Sequence, residues 1–250
     1  LTVPYTSLSH IFCEKADAES AEKWSRKAYK CIEKLDDPFT QSWGNLAMGH
    51  FFLQKGNIDE AEKKLILSLD NAKKISLHVV IEPCLAYLSE LYIKREDNDS
   101  ALKRINELKD MIEHKKSPLL YLCYCLVIEA MIYMHMSKYD KALDCLERGI
   151  KFKVPIWEGN LYRIFGDYYR ELGTDYFQSS QEWYEKGIQI DDRLGRNLEL
   201  ARDYFSYGEM LKRQCKQEEA SKLFKDALAI FNAFGAAWDI DQVEAAIKDA

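Results

Sequence analysis

Hydrophobic positions recur along this chain on two scales. Over stretches of about 15 residues, apolar side chains return every three or four places, the period of an amphipathic helix. Over longer distances the arrangement itself returns. Ala21, Ala61, Ala101, Ala142, Ser180 and Ala220 mark it, at spacings of 40, 40, 41, 38 and 40 residues. A second small residue, Ser9, Gly49, Ser89, Ala130, Gly166 or Gly208, precedes each by 12 places, or by 14 in the fifth repeat. Three residues after that second column comes a ring or large aliphatic: Phe12, Phe52, Tyr92, Tyr133, Tyr169 and Leu211. Four residues after the alanine column stand Leu65, Ile105, Leu146, Tyr184 and Phe224, with Ser25 as the exception in the first repeat. Glycine inside a helix costs about 1 kcal/mol relative to alanine. Three glycines in one column therefore predict the close approach of a paired helix.

Each period predicts two antiparallel helices. In the second repeat, Gln41 to Lys55 reads as the first helix, Gly56-Asn57 as its stop, and Asp59-Glu60 as the acidic first turn of the second. Ala61, Leu65, Ser68 and Leu69 then form its buried stripe. The same plan predicts helices near 82–95 and 98–115, 120–136 and 139–152, 159–172 and 177–193, and 197–214 and 217–233. A short opening helix precedes Asp17, and a cap near 238–248 carries Ile240, Val243 and Ile247. Pro38, Pro118 and Pro155 fall where one repeat hands over to the next. The fifth repeat carries about two extra residues around Thr174–Gln178. The expected fold is all-α, a right-handed solenoid of helix pairs in a single domain over 1–250. Its repeats fall at 1–37, 38–79, 80–117, 118–155, 156–195 and 196–235, with a capping helix in 236–250.

This small–large–small alternation resembles the tetratricopeptide repeat (TPR). Tyr204, Tyr207, Gly208, Leu211, Ala220, Phe224 and Ala227 carry the likeness in the sixth repeat, and Met48, Gly49, Phe52, Gly56, Ala61 and Leu65 in the second. It covers roughly residues 2–235. The period departs from the family's usual 34 residues or so, and is similar to the longer variant of MalT-like bacterial signalling proteins. The stretch Leu198 to Tyr204, Gly208 and the ending Phe234 to Trp238 resemble the C-terminal arms of signalling ATPases and cyclases. The resemblance implies a sensory or docking segment of a larger cytoplasmic regulatory protein, with its output module outside this sequence.

Composition narrows the function. A net charge of −6, with Lys and Arg interleaved among Asp and Glu, opposes a polyanionic partner such as nucleic acid. No apolar run approaches a membrane span. Seven cysteines, an odd number without framework spacing, read as reduced thiols of a cytoplasmic protein. No phosphate-cradling loop, dinucleotide fingerprint or nucleophile elbow is present, so neither catalysis nor a cofactor is expected. His10, Cys13 and Cys31 were the nearest approach to a metal set, and core packing is the favoured reading of both thiols. Asp36-Asp37, Glu96-Asp97 and Asp191-Asp192 read as solvated helix ends, and Glu129 as a partly buried, hydrogen-bonded exception in a column of large residues.

What remains is the concave side, which the first helix of each repeat should line. The apolar half offers Trp43, Leu46, His50, Glu90, Tyr124 and Met131, and the charged half Arg163, Asp167, Arg170 and Arg202. A protein or peptide partner is expected there, with apolar anchors in the first half and an acidic group on the arginines. A tight superhelix that closes the apolar half on itself is equally compatible with the pattern. A small-molecule pocket lined by Trp43, Tyr124 and Met131 is the alternative function. The basic and Asn clamp of chaperone-binding TPR modules is not reproduced, since Leu46, His50, Ala86 and Glu90 occupy comparable places.

Overall fold

The repeat rhythm is written into the backbone of the computed structural model. The model describes residues 1–35, 37–115 and 119–248, with side chains for all of these except 113–115 and 119–120. Every regular element among them is helical: α1 (Thr2–Glu14), α2 (Ala18–Lys30), α3 (Pro38–Gln54), α4 (Ile58–Lys74), α5 (His78–Lys94), α6 (Asn98–Lys115), α7 (Leu119–His135), α8 (Tyr139–Gly149), α9 (Pro155–Leu172), α10 (Phe177–Leu194), α11 (Asn197–Arg213), α12 (Gln217–Phe234) and α13 (Ala237–Lys248). They fall into two compact units, Leu1–Ser117 and Pro118–Ala250. The first unit holds three helix pairs. The second holds three more and α13. The chain is thus an all-α helical solenoid.

The turn inside each pair is set by one left-handed residue. Ala16, Gly56, Glu96, Ser137 and Cys215 have φ between +56° and +76°, each five places before the alanine column. In the fifth repeat Gly173 (φ +111°) stands seven before Ser180, and a 3-10 turn at Thr174–Tyr176 takes up the two extra residues. At the five regular turns the next N–H reaches back to the carbonyl of the large column: Asp17 to Phe12, Asn57 to Phe52, Asp97 to Tyr92, Lys138 to Tyr133 and Lys216 to Leu211, at 2.8–3.0 Å. This is the Schellman closure, and it satisfies carbonyls that a helix end leaves bare. Asp17, Asn57 and Asp97 then cap the following helix through the backbone N–H of Ser20, Glu60 and Ser100.

The packing columns behave as predicted. A Cβ on Gly49 would sit 2.7 Å from Leu65, on Gly166 2.5 Å from Tyr184, and on Gly208 2.5 Å from Phe224. Each glycine thus admits the bulky residue of its partner helix. The first repeat solves the same contact differently: Ser9 and Ser25 share a 2.7 Å hydrogen bond between their hydroxyls, so the missing large residue is matched by a less confining partner.

Three helices start earlier than the sequence pattern indicated, α3 among them at Pro38 rather than Gln41. Helix α5 begins at His78, with Pro83 inside it, rather than near 82. The lost i→i−4 bond falls on the carbonyl of Val79, whose residue is exposed, so water can replace the missing N–H. Helix α9 begins at Pro155, a favoured first position, rather than near 159. Pro38 likewise opens α3, and Pro118 lies outside the described residues.

Candidate functional site

In the first unit α1, α3 and α5 pack side by side as well as against their partners. His10 of α1 lies 4.3 Å from the ring of His50 on α3 and 5.9 Å from Tyr87 on α5, and His50 lies 4.6 Å from Tyr87. Three successive first helices therefore converge, which makes theirs the inner side of the unit's curve. Burial lowers the pKa of His10 to about 4, so the ring is neutral at pH 7. Its Nε2 is buried without a hydrogen-bond partner, and so is the indole Nε1 of half-buried Trp43. Thr6 Oγ1 donates to the main-chain oxygen of Trp43 at 3.1 Å and ties α1 to α3. Leu46 and His50 are buried, and Glu90 is half-buried in the column that His10 and His50 share. The first unit thus brings four of the expected residues onto one face, and two of the four are packed inside it.

In the second unit Tyr124 is buried with its ring 4.4 Å from Trp157, and Met131 packs half-buried against the core. The arginines are engaged by the unit itself. Arg163 meets Glu199 at 2.9 Å and Asp203 at 3.1 Å. Arg202 pairs with Glu199, and with Asp239 at 2.9 Å. Arg170 pairs with Asp167 at 3.0 Å and lies 3.3 Å from both the Tyr184 hydroxyl and the Ser206 carbonyl. Arg196, absent from the expected set, donates to Asp191, to the Asn160 side chain and to the Ile156 carbonyl. Burial disfavours the charge of Arg163, but Glu199 and Asp203 outweigh it and hold the guanidinium protonated. Glu199 is the mirror case: against its burial, Arg202, Arg163 and Arg196 hold its pKa well below the usual carboxylate range.

Asp191 corrects the reading of Asp191-Asp192 as a solvated end. Asp192 is exposed, but Asp191 is fully buried. A Cβ on Gly159 would collide with its carboxylate, so this glycine makes room for the acid against α9. Asp191 Oδ2 and Asp203 Oδ2 are buried and meet no donor, and the two carboxyls act electrostatically on one another. Burial is the main force raising both, Asp191 to about 6 and Asp203 well above its ordinary value. Arg163, Arg196 and Arg202 face Asp191, Glu199, Asp203 and Asp239. A proton held by the aspartate pair would ease the acid surplus among these seven groups, and burial favours that proton at both.

The remaining sequence candidates are quickly placed. Cys13 is buried with its thiol pushed up by burial, and Cys31 is half-buried with Sγ 3.4 Å from the Lys27 carbonyl. Glu129 is buried beside Cys145, whose Sγ lies 4.0 Å from it. Asp37 caps α3, and Asp36 lies outside the described residues. Among the described residues no group of three or more His, Cys, Asp or Glu is placed to hold a metal ion, and no helix is long and apolar enough to cross a membrane.

Helix pairs stacked at this period define the class of protein: a tetratricopeptide-type helical-repeat fold. Solved structures share it at low sequence identity. NprR, solved in complex with its cognate peptide NprX, is 15% identical, covering 94% of this chain and 70% of its own, at a TM-score of 0.72. Aspartyl phosphate phosphatase F from Bacillus subtilis is 14% identical, covering 94% and 67%, at 0.65. The STAND protein PH0952 from Pyrococcus horikoshii, which carries a tetratricopeptide repeat sensor, is 13% identical at 0.54, and the match covers 92% of this chain and 37% of that one. No protein-family model and no curated protein matches the chain.

Proposed function

We propose that the chain is a non-catalytic protein- or peptide-binding scaffold, the sensory or docking segment of a larger cytoplasmic signalling or regulatory protein. The observation that carries this reading is the pair of buried nitrogens on the inner face of the first unit, His10 Nε2 and Trp43 Nε1, that bond to nothing. An unmet buried polar atom costs about 1–3 kcal/mol, and a peptide main chain offers donors and acceptors in alternation. The proposed contact face is therefore His10, Trp43 and Glu90, with His50 packed beneath it. Arg163, Arg170 and Arg202 are left out of it, because carboxylates of their own unit already hold them. The complex of NprR with its peptide and the repeat sensor of PH0952 support the same reading by analogy of fold.

The test is selection of random displayed peptides on the full chain, followed by titration of the winners against Trp43→Phe and His10→Phe. Trp43→Phe keeps a ring and deletes the indole nitrogen; His10→Phe keeps a ring and deletes both imidazole nitrogens. Selected peptides should bind at least about tenfold more weakly to either variant, while the melting temperature stays level. Failure to select any peptide, or undiminished binding to both variants, refutes the proposal.

A further inference from the structure

The array breaks in the fourth repeat. Helix α8 stops at Gly149 after 11 residues, whereas α4, α6, α10 and α12 run for 17 or 18. One 3-10 turn follows at Ile150–Phe152, then Lys153 at φ +47°, then Pro155 opening α9. A side chain in the left-handed region costs about 1–2 kcal/mol relative to the right-handed one, and such strain gathers at ligand sites and switches. Gly149 lets the shortened end settle on α9, since a Cβ there would lie 3.1 Å from Leu161.

The early stop leaves a cavity of about 290 Å³ between α7, the break and the first turns of α9. Buried Cys123 and Leu161 line it together with half-buried Ile150 and Val154, which give it an apolar wall. Lys153 and Glu158 border it with opposite charges. Neither side chain makes an ion pair or hydrogen bond to the other or to any described residue. The Glu158 carboxylate nevertheless acts into the cavity: after burial, its charge is what raises the Cys123 thiol, to about 11, and the Tyr162 phenol. A separated cation and anion over an apolar recess is the complement of a zwitterion with a hydrocarbon tail. At about 30 Å³ per water the space holds roughly ten water-sized positions, close to the nine or so non-hydrogen atoms of leucine.

We propose that this cavity binds a free apolar α-amino acid of about leucine's size, its ammonium on Glu158, its carboxylate on Lys153 and its side chain against Ile150, Val154 and Leu161. The site is distinct from the peptide face of the first unit and does not depend on it.

Calorimetric titration of the full chain with L-leucine, alongside melting curves, tests the proposal. Isocaproate, which lacks the ammonium, and isoamylamine, which lacks the carboxylate, serve as comparison ligands. Leucine should bind saturably and raise the melting temperature. Each comparison ligand, and each of the variants Glu158→Gln and Lys153→Gly, should weaken binding by at least about tenfold through one lost charge-assisted contact. Lys153→Gly also relieves the left-handed strain, so a loss of binding in that variant cannot come from unfolding. The proposal is overturned by no leucine response up to about 10 mM, by either comparison ligand binding as tightly as leucine, or by unchanged affinity in both variants.

Discussion

Replacing Asp203 with asparagine tests whether the buried acid pair of the second unit holds a proton. If Asp203 is protonated at neutral pH, Asp203→Asn is close to isosteric. Its carbonyl can still accept from Arg163, 3.1 Å away in the native pair, and its amide can supply the donor that Asp191 Oδ2 lacks. The expected change at pH 7 is within about 1 kcal/mol. Arg163→Met is the contrasting case, because it strands Glu199 and Asp203 without their shared cation. Breaking a buried pair from one side costs about 3–5 kcal/mol, which is roughly 6–20 °C of melting temperature at this chain length. The pH dependence has a definite sign. An acid whose pKa is raised on folding stabilises most below its unfolded value and loses that contribution as pH rises through the folded one. For Asp191, carried from 3.8 to about 6, the loss between these values is about 3 kcal/mol. Asp203, raised further, extends the decline to higher pH. Glu199, held low, acts the other way, and its contribution fades as pH falls below the ordinary glutamate value. On these three groups wild-type stability should therefore peak at about pH 4 and slope downward above it. Asp203→Asn should flatten the alkaline limb. Calorimetric melts of the three proteins from pH 4.5 to 9 decide the matter, and an Asp203→Asn penalty as large as that of Arg163→Met would refute the shared proton.

Two further outcomes follow from the packing and the turns. Gly208→Leu drives a side chain into Phe224, already 2.5 Å from an added Cβ, and should destabilise by about 1–3 kcal/mol, whereas Lys216→Leu at an exposed turn should change little; equal melting temperatures would contradict the column assignment. Glu96→Gly replaces a left-handed side chain (φ +60°) by the residue that prefers that conformation, and should raise stability by up to about 1 kcal/mol, read as a shift in denaturant midpoint.

The columns were legible because they are steric. A glycine facing Leu65, Tyr184 or Phe224 leaves a residue-sized signature wherever it recurs. The turns were half legible: Gly56 announced itself, while Ala16, Glu96, Ser137 and Cys215 adopt the same conformation because the Schellman closure imposes it. Position, not residue type, decides there. The charged cluster was missed for a different reason. Its partners stand about one repeat apart, Asn160 with Glu199, Arg163 with Asp203 and Arg202 with Asp239, at separations of 39, 40 and 37 residues. Matching opposite charges across one period would have found them. Viewing each repeat alone pointed the same arginines at a ligand.

That register changes what a charge-reversal experiment can mean. Glutamate at Arg163 would place a new acid against Glu199 and Asp203 inside a protein interior, so lost binding would report lost folding first. The first unit offers the cleaner experiment. Its inner face carries a neutral His10 and a tryptophan whose buried nitrogens can be deleted without stranding any charge. Opposite charges one repeat apart lock α9, α11 and α13 together, and in α1 and α3 the unmet buried atoms include two ring nitrogens of His10 and Trp43. Unmet buried capacity is destabilising unless something arrives to use it, and at His10 and Trp43 a partner can use it without breaking an ion pair, whereas the arginines are already held by carboxylates of their own unit.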